Sequence, residues 1–131
     1  MTIKEEWLIQ RNVIAWFNLQ HPQHSKLLTY TMGGSHNFGP RKGATLKAMG
    51  LKAGIPDLNL FIARSGYHGL LLEVKGKGGK LSPVQKDYHQ LLKAQGYCVE
   101  VGEGALVCIA IIKAYLGGGY PQNPSLNGLL V

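Results

Sequence analysis

Two short stretches constrain this chain more than any others: Gly54-Ile55-Pro56-Asp57 and, beyond one turn, Glu73-Val74-Lys75. Residues 58–63 form an apolar run, Arg64-Ser65-Gly66-Tyr67-His68 reads as a hairpin turn, and residues 69–75 form the returning strand. Side chains alternate faces along a strand, so Glu73 and Lys75 share one side while Val74 points into the core. Setting Ala63 opposite Gly69 places Asn59 against Glu73 and Asp57 against Lys75. Two carboxylates and an amine then converge at one end of a two-stranded ribbon. Such a cluster is costly to desolvate unless a hard cation such as Mg²⁺ sits within it. The plainer alternative is a surface hairpin with an ordinary Glu–Lys pair.

The charge balance favours the first reading. The 131 residues suffice for one domain with its own core, and 14 Lys and Arg against 7 Asp and Glu leave a net charge of +7. A basic surface suits a polyanion, whose bound phosphates release counterions. Lys42, Lys47, Lys52, Lys75, Lys77 and Lys80 flank the carboxylates on both sides, where they would draw in a phosphodiester. Cys98 and Cys108 lie in apolar stretches without Cys-x-x-Cys spacing and read as buried thiols in a reducing compartment. With no signal peptide and no apolar run of about 18 residues, the chain is expected to be soluble and cytoplasmic, with no membrane partner.

Hydrophobic spacing predicts a helix over residues 5–19, ended by His21-Pro22, a short strand at 27–32, a loop at 33–40 and a helix over 41–49 closed by Gly50. The hairpin follows, then a flexible basic loop at 76–80. Ser82-Pro83 opens a helix running to about Gln95, with Ser as N-cap and Pro in the first turn. A strand at 97–101 and an amphipathic helix at 105–116 complete the order α-β-α-β-β-α-β-α. Residues 1–117 thus form the domain, and the Gly/Pro-rich segment 118–131 is expected as a tail outside the core.

The pieces Glu6 with Gln10, Gly54-x-Pro56-Asp57, Glu73-x-Lys75, Lys80-Leu81-Ser82-Pro83-x-Gln85 and Gly96-Tyr97-x-Val99 resemble, in order, the VRR-NUC branch of the PD-(D/E)xK nucleases. The resemblance spans about residues 5–116 and is to the small stand-alone, phage-type members; the minimal size suits a mobile element in a bacterial host. It implies an α/β, restriction-endonuclease-like core, a small mixed sheet flanked by helices. It also implies Mg²⁺- or Mn²⁺-dependent DNA cleavage. By position, Asp57, Glu73 and the Val74 carbonyl would hold the cation, with Glu6 as an additional acidic ligand. Lys75 would contact the attacking water and the scissile phosphate, and Gln85 would orient the site or Lys75. The loop after the first strand departs from the family pattern; His36, Arg41 and Lys42 there, with Lys77 and Lys80, are candidate DNA contacts.

The residue chemistry agrees. Oxygen ligands suit Mg²⁺ or Mn²⁺, and no Cys/His cluster suggests zinc. Beside two carboxylates Lys75 is favoured as the ammonium, which points to charge stabilisation and water orientation ahead of a neutral general base. His36-Asn37 lacks the partners of a histidine-metal nuclease, and Gly76–Gly79 lacks Walker spacing, so no nucleotide cofactor is expected. The leading expectation is an endonuclease, and the family resemblance implies selectivity for branched DNA, as in a Holliday-junction resolvase. Two opposed cuts call for a homodimer, with Trp7 and Tyr115 offered as interface residues. The alternatives are a monomeric flap or nicking nuclease, a DNA-binding module that does not cut, and a restriction enzyme, which usually carries more chain for base readout.

Overall fold

The computed structural model describes residues 3–32 and 39–124. Its elements are α1 (Ile3–Gln20), a 3₁₀ turn (Pro22–Leu27), β1 (Leu28–Tyr30), α2 (Gly39–Ala48), β2 (Leu58–Leu60), β3 (Leu70–Lys75), α3 (Pro83–Ala94), β4 (Cys98–Glu103) and α4 (Ala105–Leu116). The order matches the expected one. The sheet runs β1-β2-β3-β4, antiparallel between the first three strands and parallel between β3 and β4.

Alternation along the strands sorts the sheet into two faces. Leu58, Leu60, Leu70, Leu72 and Val74 turn toward α1 and α4, where Val13, Phe17, Cys108, Ile112 and Tyr115 complete the core. The opposite face carries Glu73 and Lys75 and is met by α3 through His89 and Gln85. Because helices cover both faces, every residue of β3 is buried, polar ones included. A buried charge in that strand needs a partner.

The hairpin register differs from the expected one by two residues. Leu60 pairs with Leu70 and Leu58 with Leu72, which sets Asn59 against Leu71 and, one step past the ladder, Asp57 against Glu73. The cause lies in the turn. Ser65 and Gly66 both have positive φ (51° and 80°), Tyr67 N–H donates to the Arg64 carbonyl at 2.8 Å, and Arg64 bridges to Tyr67. This is the tight two-residue turn that matches strand twist. Continued without interruption from that bridge, the ladder would set Asp57 against Val74. One extra residue on the β2 side, within Phe61-Ile62-Ala63, acts as a bulge and restores Asp57 to the Glu73 position.

Two further expectations change. The 76–80 loop is held by Gly79 N–H to the Gly76 carbonyl (2.9 Å) and Gly78 N–H to Glu103 Oε1 (3.2 Å). The segment after α4 also docks. Asn123 is buried, with its N–H on the Ser65 carbonyl (2.8 Å) and its Nδ2 on the Gly66 carbonyl (3.1 Å), so this segment straps the hairpin turn. Residues 125–131, the rest of the expected tail, lie outside the described residues. Cys98 and Cys108 are free and buried, their thiols pushed up to about 12 and about 11 chiefly by burial. Among the described residues no helix is long and apolar enough to cross a membrane.

Candidate active site

Asp57 is placed by its neighbours. Pro56 has no N–H with which to continue the ladder, so pairing ends at Leu58 and the Val74 N–H donates to Asp57 Oδ2 at 2.8 Å. From β1's side Thr31 fixes the same backbone: its N–H donates to the Asp57 carbonyl at 2.9 Å, and its hydroxyl bonds the Pro56 and Asp57 carbonyls. Gly54 makes the approach possible. Its φ is +90°, and a Cβ there would lie 2.8 Å from the Val84 carbonyl oxygen at the start of α3. The Gly-x-Pro-Asp spacing is therefore a packing requirement between this loop and α3.

Glu73 is 2% exposed and Lys75 8%. Burial, a hydrogen bond to Asp57 and the Asp57 charge push the Glu73 carboxyl up to about 9, with Glu6 adding in the same direction and Lys75 opposing. Glu73, buried beside a second carboxyl, holds its proton more tightly, and a cation bound there would take that proton's place. Lys75 Nζ donates to Gln85 Oε1 at 3.2 Å. That oxygen also accepts the Ser82 N–H (2.9 Å), while Ser82 Oγ accepts the Gln85 N–H (3.2 Å). The capping box that starts α3 thus also holds the lysine.

His89, one turn beyond Gln85, is 4% exposed with Nε2 3.2 Å from Glu73 Oε1. Burial first, then the charges of Lys93 and Lys75, lower its pKa, so the contact is a neutral hydrogen bond and not an ion pair. Neither His89 nor Thr31 stood out in the sequence. The signal for His89 was there: it follows Gln85 by four residues, which puts both on one helix face.

The site opens into a groove of about 860 Å³ bounded by α2 (Gly39, Gly43, Ala44, Lys47), by Gly54, and by Lys75, Lys80 and Gln85. Of the expected DNA contacts, Lys80 lines it; Arg41 and Lys42 are exposed on α2, and Lys77 is exposed in the following loop. His36 lies outside the described residues. Glu6 is half-buried on α1, close enough to act on Glu73 by its charge. Trp7 is 55% exposed under Arg11, but Tyr115 is fully buried and donates to the Ile62 carbonyl at 2.6 Å, so it is a core residue and no interface can use it.

The donor set fits a hard divalent ion. Asp57 and Glu73 would be the side-chain donors, with the remaining positions left to backbone oxygen and water. Mg²⁺ prefers such a site, since it gives up its waters reluctantly. Val74 would supply the backbone oxygen, because a strand residue's C=O points to the same side as its N–H, here toward Asp57.

The VRR-NUC domain family model matches residues 2–106. A solved structure described as a VRR_NUC domain protein superposes with a TM-score of 0.72 at 32% identity, covering 86% of this chain and 88% of that one. No curated protein matches the chain. The mixed sheet flanked by helices is the α/β, restriction-endonuclease-like architecture, and over four-fifths of its length the sequence fits one family model. The chain belongs to the VRR-NUC domain family of nucleases.

Proposed function

We propose that this chain is a Mg²⁺- or Mn²⁺-dependent endodeoxyribonuclease selective for branched DNA. The observation that carries the reading is the meeting of Asp57, Glu73 and Lys75, the last of which lines a groove together with Lys47 and Lys80. A divalent ion held there supplies positive charge to the phosphoryl oxygens and lowers the pKa of a bound water. Asp57, Glu73 and the Val74 carbonyl would be its ligands, with Glu6 as an additional acidic group whose charge reaches Glu73. Lys75, steadied by Gln85, donates to a phosphate oxygen and aligns the attacking water, so its charge meets charge that develops during cleavage. Lys47 and Lys80 hold neighbouring phosphates on either side of the groove, with Arg41, Lys42 and Lys77 further along the strand. Gly43 and Ala44 give α2 a small-residue face, which lets a sugar–phosphate backbone approach closely.

Resolving a four-way junction requires two opposed cuts, and hence a homodimer. With Tyr115 in the core, its interface would draw on exposed apolar residues: Trp7 and Leu8 on α1, or Leu106 and Val107 on α4. The test is cleavage of labelled four-way junction, flap, single-stranded and linear duplex DNA, with molar mass measured by light scattering. Paired symmetric cuts in the junction by a dimer support the proposal. Cuts confined to flaps by a monomer replace it with a flap nuclease, and binding without cutting in either metal leaves a DNA-binding module.

A further inference from the structure

Glu73 and Lys75 lie on the same face of β3, two residues or about 6.6 Å apart. Gln85 and His89 lie on one face of α3, four residues or about 6.0 Å of rise apart. The two spacings match, and α3 presents its pair in the reverse order: Gln85 meets Lys75 and His89 meets Glu73, each at 3.2 Å. One helix face therefore grips both polar side chains of the strand.

Resting on the nuclease reading above, we infer that His89 is a positioning residue for the metal-binding carboxylate. Its Nε2–H donates to Glu73 Oε1 and fixes the rotation of that carboxylate, leaving the other oxygen for Asp57 and the cation. A leucine at this position would bury apolar surface without desolvating a ring. The protein instead buries an imidazole, whose hydrogen bond is made to the one carboxylate that must be held still. An imidazole with this role fixes the direction of the ligand and does not touch the metal or the phosphate.

The test is Mn²⁺ binding to the full chain without DNA, followed by electron paramagnetic resonance. The proteins compared are the parent, Asp57→Asn, His89→Leu and His89→Gln, each also melted in EDTA. Loss of such an outer hydrogen bond typically weakens metal binding about 10- to 100-fold, and His89→Leu is expected to do so. His89→Gln, whose amide N–H can occupy the Nε2 position, is expected to bind close to the parent. Unchanged affinity in His89→Leu, or an equal loss in both His89 variants, overturns the inference and leaves the nuclease reading standing. Absence of any Asp57-dependent binding in the parent overturns both. If His89→Leu does not fold, the ring of the parent decides the matter. Long-range ¹H–¹⁵N spectra should show the Nε2–H tautomer, shifting when Mg²⁺ is added, and an Nδ1–H tautomer overturns the inference.

Discussion

Replacing Glu73 with Gln keeps the size of the buried group and its capacity to bond Asp57 and His89, but removes its charge. In the folded protein the Glu73 carboxyl is pushed up to about 9, against an ordinary value of 4.5. Below pH 4.5 both folded and unfolded chains hold the proton, and stability does not depend on this group. Between the two values the unfolded chain ionises while the folded one stays protonated. The folded state then binds more protons, and stability falls by about 1.4 kcal/mol for each pH unit. At about pH 7.5 the loss reaches about 4 kcal/mol, and water entry and relaxation around the carboxyls reduce it to about 2 kcal/mol. Glu73→Gln does not carry this loss. In EDTA the parent and the variant should melt together near pH 5, and the variant should melt about 5–10 °C higher near pH 8. Other titrating groups cancel in the difference. Adding Mg²⁺ at pH 8 should raise the parent's melting temperature and leave the variant's unchanged, since only the parent gains a ligand. Thermal melts by circular dichroism at the two pH values decide it. A parent at least as stable as Glu73→Gln at pH 8 in EDTA would refute the reasoning that Glu73 is held protonated near the end of β3.

Three further outcomes are expected. Gly54→Ala forces a side chain onto the Val84 carbonyl at a positive φ, and should cost about 1–3 kcal/mol in urea denaturation while lowering any cleavage rate through displacement of Asp57. Lys47→Ala and Lys80→Ala should each reduce the slope of log K for DNA against log salt by about 1, leaving Mn²⁺ binding unchanged; an unaltered slope removes that lysine from the DNA path. Tyr115→Phe loses the 2.6 Å hydrogen bond to the Ile62 carbonyl and should destabilise by about 1–2 kcal/mol without altering molar mass by light scattering; a shift in oligomeric state contradicts its placement in the core.

The elements were readable because each carries a local signal. Ser82-Pro83 starts α3 and Gly96 follows its end, and α4 spans Ala105–Leu116 as its apolar pattern predicts. The facing of Glu73 and Lys75 was also readable, since a strand's period is two and a slip of two residues preserves it. The register was not. It depends on whether the turn holds two residues or five and on a bulge within Phe61-Ile62-Ala63, which no composition rule signals. The slip mattered to the site, because it brought Asp57 to Glu73 and left Lys75 to Gln85. Thr31 was missed because its hydrogen bonds to Pro56 and Asp57 cross from β1 to the loop before β2. Tyr115 was misplaced because an aromatic on a helix rich in apolar residues gives no hint of which face the sheet covers. Asn59 Oδ1 is buried without a hydrogen-bond partner among the described residues, and the structure offers no physical account of it.

The central claim is that Asp57, Glu73 and Lys75 form a metal-dependent phosphodiesterase site, and single-turnover cleavage of labelled four-way junction DNA tests it most directly. Parent and Lys75→Ala are compared in Mg²⁺, Mn²⁺ and EDTA, with DNA binding measured in parallel. The parent should cut in either metal and stop in EDTA. Lys75→Ala should bind DNA normally yet cut about 10²–10³-fold more slowly, as loss of a charge that meets the developing oxyanion does. Cleavage that persists in EDTA, or proceeds at the parent rate in Lys75→Ala, would contradict the account.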